Sequence, residues 1–304
     1  MNESDNGDII PIDKNIIKGE ILMSYNPEIP RNRYDSYGDH EWTRLEKDGH
    51  GELLYRVHLD IMSRYIGQTD KVLEIGAGSG RYTKDIVKMC AELTVADISS
   101  HQIEFNKIKM RELALYERIK AFHVLDVIDM SVFGDSSFDC VVCVGGVINY
   151  LLDREKDGMA EMLRVLKPGG IIIVGAMSFI GASLYYLNGI RYEKDQFGIE
   201  ATRWMFNTGL QDGEHYPVPS KHYVHIMRSA EMDALFAQFP LAVMEKSSAG
   251  LFSQSGDDAL EKARNDSELW ELIVEKEIEF TKLSGTLDCG MNIIYAARKE
   301  VKTQ

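Results

Sequence analysis

The sequence has no apolar stretch approaching the roughly 20 residues of a membrane span, and its first residues, Met1 to Asn6, are polar and acidic rather than leader-like. Both features argue against membrane insertion and secretion. It also has no Lys/Arg run: 34 Lys and Arg stand against 48 Asp and Glu, a formal charge of −14. Such a surface repels phosphate backbones, which argues against a nucleic acid substrate. Cysteine is scarce, with Cys90, Cys140, Cys143 and Cys289 lying mostly inside apolar patterns. Cys140 and Cys143 sit three apart in a strand-like run and so face opposite sides. That argues against a metal pair and for buried free thiols, as in a reducing cytoplasm; no metal site is expected. Internal repeats and low-complexity tracts are missing too. What remains is ordinary globular composition, 44% hydrophobic and 27% charged. The 304 residues suffice for one large α/β domain with insertions, or for a domain with a small second one.

The most informative stretch is Lys71 to Thr83, Lys-Val-Leu-Glu-Ile-Gly-Ala-Gly-Ser-Gly-Arg-Tyr-Thr. Val72, Leu73 and Ile75 read as a buried strand, Gly76, Gly78 and Gly80 as a turn, and Tyr82 onward as a helix. That unit brings a backbone close to a nucleotide-like ligand at the carboxyl end of a parallel sheet. A dinucleotide fingerprint needs its third glycine five positions after the first, but Arg81 stands there. Glu74, two positions before the first glycine, repels a pyrophosphate and attracts a cation. The expected ligand bears adenine and ribose, with a positive end and no phosphate. S-adenosyl-L-methionine meets that description through its sulfonium and α-ammonium.

The rest of the chain falls into place around this turn. Residues 1–48 read as an arm and an aromatic cap, the cap too irregular for a long element. Gly51 to Tyr65 has helical spacing. Strands follow at Lys71–Ile75, Leu93–Ala96, Ala121–Leu125, Phe138–Val144 and Ile171–Val174, with helices between them. One of these helices follows Ser99 or Ser100 as N-cap, and another covers Asp153–Leu166 before the Lys167-Pro168-Gly169-Gly170 stop. The alternation implies a doubly wound sheet with right-handed crossovers over 49–177. It breaks over 178–221, an aromatic insertion that reads as a lid. Residues 222–304 complete the sheet, with an extended Tyr223–Met227, a helix capped by Ser229, a strand at Leu241–Glu245, an acidic helical region at Asp257–Leu283 and a terminal strand at Asn292–Ala297.

Asp97 ends the second strand 21 residues after Gly76, where a carboxylate accepts both ribose hydroxyls of a bound nucleoside. Ile98 beside it can lie on the adenine face. Asp126 ends the third strand, where it can accept from the adenine amine. The bland alternative for both acids is helix N-capping.

With these residues in hand, the chain resembles class I S-adenosylmethionine-dependent methyltransferases of the small-molecule type. Val-Leu-Glu-Ile-Gly-Ala-Gly-Ser-Gly looks like their first motif, Asp97 like their second-strand acid, and Asp126-Val127 like their third motif. Ser137-Phe138-Asp139-Cys140-Val141-Val142 is similar to their fourth-strand signature, and Leu166 to Gly170 to their post-helix turn. The resemblance implies a Rossmann-like, seven-stranded sheet whose last strand is antiparallel, with an N-terminal cap and a helical lid. It implies S-adenosyl-L-methionine as cofactor and S-adenosyl-L-homocysteine as product. The cofactor residues it implies are Glu74, Gly76, Ala77, Gly78 and Gly80 for the methionine part, Asp97, Ile98 and Gln102 for ribose and adenine, and Asp126 and Val127 for the adenine edge. Val144 and Gly145 lie beneath the sulfonium, and Tyr34, Trp42 and Arg44 belong to the cap.

Two departures matter. Similar bacterial members often carry Tyr-His-Leu after the fourth strand, where this chain has Asn149-Tyr150-Leu151, so a candidate base is missing. No Asn-Pro-Pro-Tyr or Asp-Pro-Pro-Tyr follows that strand either, which argues against methylation of nucleic acid bases. The candidates near the transfer are Tyr150, His222 and His225, and at most one of the two histidines can face the site. His215, Tyr216 and Tyr223 are further candidates, and Tyr185, Tyr186 and Trp204 could line an acceptor pocket. The expectation is a cytoplasmic methyltransferase for a small molecule, its acceptor atom open, its N-terminal arm or acidic helices available for homodimer pairing. The rivals are a protein or RNA methyltransferase and a cofactor-binding protein with different chemistry.

Overall fold

The computed structural model describes residues 24–37, 42–43, 47–217 and 223–301. Two site residues expected from sequence, Arg44 and His222, lie outside these described residues, as does the N-terminal arm to residue 23.

The sheet has seven strands in the order β3-β2-β1-β4-β5-β9-β8: β1 Lys71–Ile75, β2 Glu92–Asp97, β3 Ile119–Val124, β4 Phe138–Cys143, β5 Leu166–Met177, β8 Leu241–Ala249 and β9 Asn292–Lys299. The first five pair in parallel, and β9 runs antiparallel to both β5 and β8. The order reverses between β1 and β4, so a crevice opens at their carboxyl ends. The β4 run is apolar throughout because both of its faces are covered. Cys140 joins the core on one side of the sheet and Cys143 the core on the other, as period two requires.

Helix α1 (Glu28–Tyr37) lies within the cap, where no long element is expected from the sequence. It buries only Pro30 and has no apolar stripe to read. What fixes it is tertiary: Gln102 donates to the Tyr34 carbonyl at 3.0 Å, and Ser99 donates to Asp35 at 2.5 Å. Helix α2 (Gly49–Tyr65) starts on Asp48, whose carboxylate accepts from Gly51 N at 2.8 Å, and buries Leu53, Leu54, Val57, Ile61 and Met62 against the sheet and its neighbours. Helix α3 (Thr83–Met89) leaves the glycine turn. Helix α4 (Ser100–Glu112) is capped by Ser99, which accepts from Gln102 N at 3.1 Å. A short α5 (Val147–Tyr150) follows β4, and α6 (Glu155–Val165) ends before the Lys-Pro-Gly-Gly turn.

That turn lies inside β5 rather than before it: Phe138 already pairs with Leu166, and the register shifts before Cys140 meets Ile171. Gly169 has φ +81°, and a Cβ on Gly170 would stand 2.7 Å from the Asp139 carbonyl, so the irregular backbone is packed in place.

After β5, helices α7 (Phe179–Tyr185), α8 (Leu187–Phe197) and α9 (Ile199–Thr208) form the insertion, followed by a small ladder of β6 (Leu210–Gln211) with β7 (Val224–His225). Phe179, Ile190, Ala201, Met205 and Tyr216 give it its own core. Helix α10 (Ser229–Phe236) departs from expectation at its start. Its N-cap is Arg228, and Ser229 instead donates to Asp288 through both its N–H and its hydroxyl. The acidic region is two helices, α11 (Asp257–Arg264) and α12 (Ser267–Phe280), separated where Asp266 caps the second. Leu260, Trp270 and Val274 pack on Leu53 of α2. Trp270 and Arg264 both donate to Glu52.

Candidate functional site

Glu74, near the end of β1, points into the crevice and is 2% exposed. Its Oε2 accepts from the Thr83 hydroxyl at 2.6 Å, and Thr83 is held in turn by Asn106 at 3.0 Å. Oε1 has no hydrogen-bond partner among the described residues. Burial, aided by the nearby Asp97 and Asp85 charges, pushes the carboxyl up to about 8. A buried acceptor aimed into a cleft with nothing to accept from is costly unless a ligand donor meets it.

The backbone turns around this carboxyl through Gly76, Gly78 and Gly80, with φ of +68°, +53° and +96°. A Cβ on Gly76 would stand 2.1 Å from Val147 Cγ2, so both the dihedral and the space require glycine. Gly78 N donates to Asp97 Oδ2 and Ser99 N to Asp97 Oδ1, both at 2.8 Å. Asp97, at the end of β2, is thus fixed across the crevice from the turn. Asp126 accepts from Ile128 N at 3.1 Å and from the Tyr25 hydroxyl at 2.7 Å. Burial and that carboxylate hold the Tyr25 phenol well above its ordinary pKa.

These residues line one cleft of about 960 Å³, open mouth included. Of the residues expected to hold a cofactor, Tyr34, Glu74, Gly76, Ala77, Gly78, Asp97, Ile98, Asp126, Val127, Val144 and Gly145 are on its wall. Three expectations need correction. Gly80 sits behind the turn, where a Cβ would stand 2.7 Å from Asn106. Gln102 is buried under the α4 cap and holds the Tyr34 carbonyl. Trp42 packs beside Arg81, its ring 5.2 Å from the guanidinium, and does not line the cleft.

Tyr25 and Arg81 are among the wall residues that sequence reasoning left unassigned. Tyr25 has no motif to betray it, because only the fold brings it to Asp126. Arg81 was legible as the residue that breaks the glycine spacing. It is 3% exposed, lies over Tyr55 and Trp42, and faces the same cleft as Glu74. A carboxylate and a guanidinium at one end of a cleft suit the ammonium and carboxylate of an α-amino acid.

A second cavity, about 1650 Å³ with its mouth, adjoins the first. Tyr34, Tyr82, Gly145 and Tyr150 line both. Gly145 has φ +78°, and a Cβ there would meet nothing within 4 Å, so its bare backbone leaves the junction open. The Tyr150 and Tyr34 hydroxyls are 2.9 Å apart at the same junction. The insertion supplies Ala182, Tyr186, Ile190, Glu193 and Met205 to the second cavity.

His225, a candidate near the transfer from the sequence, is elsewhere. It lines neither cavity; its Nδ1 is 2.8 Å from Glu155 and its Nε2 3.5 Å from Glu231. Burial opposes charge on this imidazole, but the two carboxylates outweigh it and hold its pKa above the ordinary histidine value. With Nδ1 and Nε2 both turned to carboxylates and the ring outside both cavities, His225 is not placed to take a proton from a group held in either one, which corrects its assignment as a base. Asn149 is also structural: it donates to the His225 carbonyl at 2.6 Å and accepts from Met177 N at 2.8 Å. His215 pairs with Asp212 and stacks on Trp204. Tyr185 stacks on His50, so of the three aromatics expected to line a pocket only Tyr186 does. A raised folded-state pKa stabilises below the ordinary value, and that contribution is lost as pH rises through the folded one. His225→Gln is therefore expected to lower Tm at acidic pH more than at alkaline pH while leaving cofactor affinity unchanged. Thermal melts across pH and a cofactor titration check this; a large loss of affinity would contradict it.

The geometry is a cleft with a buried carboxylate and a glycine turn beside a second open cavity. A family model described as a methyltransferase domain matches residues 73–174. The chain carries a class I S-adenosylmethionine-dependent methyltransferase domain. A demethylmenaquinone methyltransferase of Clavibacter sepedonicus is 34% identical over 105 residues, 34% of this chain and 40% of that protein. A ubiquinone/menaquinone biosynthesis C-methyltransferase UbiE of Haemophilus ducreyi is 34% identical over 107 residues, again 34% and 40%. The chain thus spans about two fifths of the length of these curated relatives. The solved structure of a SAM-dependent methyltransferase from Methanosarcina mazei aligns with a TM-score of 0.54 at 22% identity, covering 80% of this chain and 98% of that one. That likeness concerns the fold. The family match begins inside β1 and ends inside β5, so it covers most of the first cleft's wall and leaves out the insertion.

Proposed function

We propose that this chain transfers a methyl group from S-adenosyl-L-methionine to a small molecule held in the second chamber. The observation that carries this reading is the shared wall: two cavities, one with a buried acceptor for a cation, meet at Gly145. When bound, the cofactor supplies an electrophilic methyl on a positively charged sulfur. In this reading Glu74 receives the ammonium, Arg81 the carboxylate, Asp97 the ribose hydroxyls and Asp126 the adenine amine, shared with or ceded by Tyr25. Ile98 and Val127 flank the base. The protein's part is to align donor and acceptor across Gly145 and keep water out, since positioning carries most of an in-line displacement. The relatives named for quinone biosynthesis make a ring carbon one acceptor to test beside oxygen and nitrogen. The family match ends at residue 174, before the insertion, so the acceptor is open to experiment.

Incubation of the pure protein with S-adenosyl-L-methionine and a metabolite extract is expected to release S-adenosyl-L-homocysteine and one product heavier by a CH2 group. Cofactor binding without such release would favour a binding protein instead. Glu74 gives a second expected outcome. Between the ordinary glutamate value and about 8 the ligand-free carboxyl is protonated, whereas an ammonium favours the carboxylate. Binding should therefore release a proton, and affinity should rise up to about tenfold per unit from about pH 6 toward pH 8. Glu74→Gln should flatten both effects. The stability sign is opposite without ligand: a raised carboxyl pKa stabilises at acid pH and that is lost as pH rises through about 8, so wild-type Tm should fall relative to Glu74→Gln. Calorimetry with S-adenosyl-L-homocysteine in buffers of different ionisation enthalpy checks the first part; the same observed heat in every buffer would count against it.

A further inference from the structure

We propose that Tyr25 is an internal competitor for the cofactor's base: its hydroxyl and the adenine amine exchange at Asp126, and this exchange sets how tightly the cofactor is held and how fast the spent cofactor leaves; this rests on the cofactor reading. Asp126 offers two oxygens, and both are engaged. Oδ1 accepts from Ile128 N at 3.1 Å, and Oδ2 accepts from the Tyr25 hydroxyl at 2.7 Å. A hydroxyl on a carboxylate makes one of the stronger hydrogen bonds open to a side chain. Tyr25, Pro30 and Asp126 all line the cleft, so the phenol lies in the wall itself, at the edge assigned to the adenine amine. The amine therefore meets an oxygen that already has a donor.

The chain around Tyr25 lets this residue move alone. Helix α1 begins just after it, at Glu28, and its start is held by Asn26. The Asn26 side chain accepts from Glu28 N at 3.0 Å, and its carbonyl accepts from Ile29 N at 3.2 Å. Further along, the helix is tied down by Ser99 and Gln102. Tyr25 stands outside that anchored unit. Among the described residues its other hydrogen bond runs from its N–H to Asp153 Oδ1 at 2.8 Å, an exposed contact. The side chain can therefore leave Asp126 without unwinding α1. Its ring packs on the core of the sheet, so leaving costs buried apolar area as well as a hydrogen bond. The base offsets both, replacing one flat ring by another and one donor by another. After transfer the product keeps the same adenosyl part, so the same phenol competes with it and hastens its release.

Tyr25→Phe keeps the ring and removes the competing hydroxyl. Isothermal titration with S-adenosyl-L-homocysteine is expected to show about tenfold tighter binding in this variant than in wild type, with correspondingly slower dissociation by stopped flow. In an Asp126→Ala background the same change at Tyr25 should alter affinity by less than about twofold, because the contested oxygen is gone. A direct readout that needs no altered binding site is fluorine NMR of the wild-type chain labelled with 3-fluorotyrosine, the Tyr25 resonance being the one that Tyr25→Phe lacks. Saturation with S-adenosyl-L-homocysteine should move that resonance toward its solvent-exposed position. Unchanged or weaker affinity in Tyr25→Phe, an undiminished effect of Tyr25→Phe in the Asp126→Ala background, or a Tyr25 resonance that the ligand leaves in place would overturn the proposal, since the phenol would then support Asp126 rather than compete for it. If Asp126→Ala does not fold, the affinity of Tyr25→Phe and the fluorine resonance decide. Failure of wild type to bind S-adenosyl-L-homocysteine would instead overturn the cofactor reading.

Discussion

Asp97→Ala is expected to weaken S-adenosyl-L-methionine binding by at least about a hundredfold, because the proposed ribose site would lose two charge-assisted hydrogen bonds, each worth about 1.5–3 kcal/mol. The carboxylate is 7% exposed and is already aimed by Gly78 N and Ser99 N, both at 2.8 Å, so it reaches the ligand without an ordering cost. Its removal also leaves those two N–H groups without their acceptor and loosens the turn that cradles the methionine end. Asp97→Asn should lie between, since its amide keeps one acceptor but turns a donor toward another donor. Calorimetry on both variants, with thermal melts to separate folding from binding, checks this. An Asp97→Ala protein that folds and binds as tightly as wild type would remove the ribose assignment.

Gly145→Leu should have the largest effect on turnover. In the native chain this position has φ +78° and open space where a Cβ would go, at the junction of the two cavities. A leucine there plugs the line between donor and acceptor. Transfer should fall by about a thousandfold or more, because misplacement of reacting atoms by as little as about 1 Å costs about a hundredfold. Cofactor affinity should change far less than turnover. Some stability is lost as well, roughly 1–2 kcal/mol for a side chain in the left-handed region. Gly145→Ala, with the same dihedral strain and a small side chain, separates strain from blockage. Normal turnover in Gly145→Leu would show that transfer does not cross this junction.

The cofactor half was legible because its signals are local. Strand, glycine turn and acid follow each other at fixed spacings, and Glu74, Gly76 to Gly78, Asp97 and Asp126 come together because parallel strands end on one edge. The apolar run Asn292–Ala297 marked a strand, and its antiparallel course was implied by the family resemblance, which the sheet bears out. The acceptor side was not legible, because its residues come from distant elements. His50 and His58 line the second cavity from a helix whose periodicity read only as core packing. His225 looked available in an extended run, yet Glu155, 70 residues away, pairs with it. Helix α1 has no apolar stripe and owes its shape to contacts with Ser99 and Gln102. Tyr25 reaches Asp126 across 101 residues of sequence, which no local pattern reveals.

The central claim is that the cleft beside Glu74 and Asp97 takes a phosphate-free adenosyl ligand that carries an ammonium group. Isothermal titration of cofactor-free protein with S-adenosyl-L-homocysteine, run beside ATP and NAD, tests it most directly. The account predicts one-to-one binding of S-adenosyl-L-homocysteine with micromolar or tighter affinity, proton release near neutral pH, and no heat from either phosphate-bearing nucleotide. Binding of ATP or NAD in its place, or no binding of S-adenosyl-L-homocysteine, would contradict it.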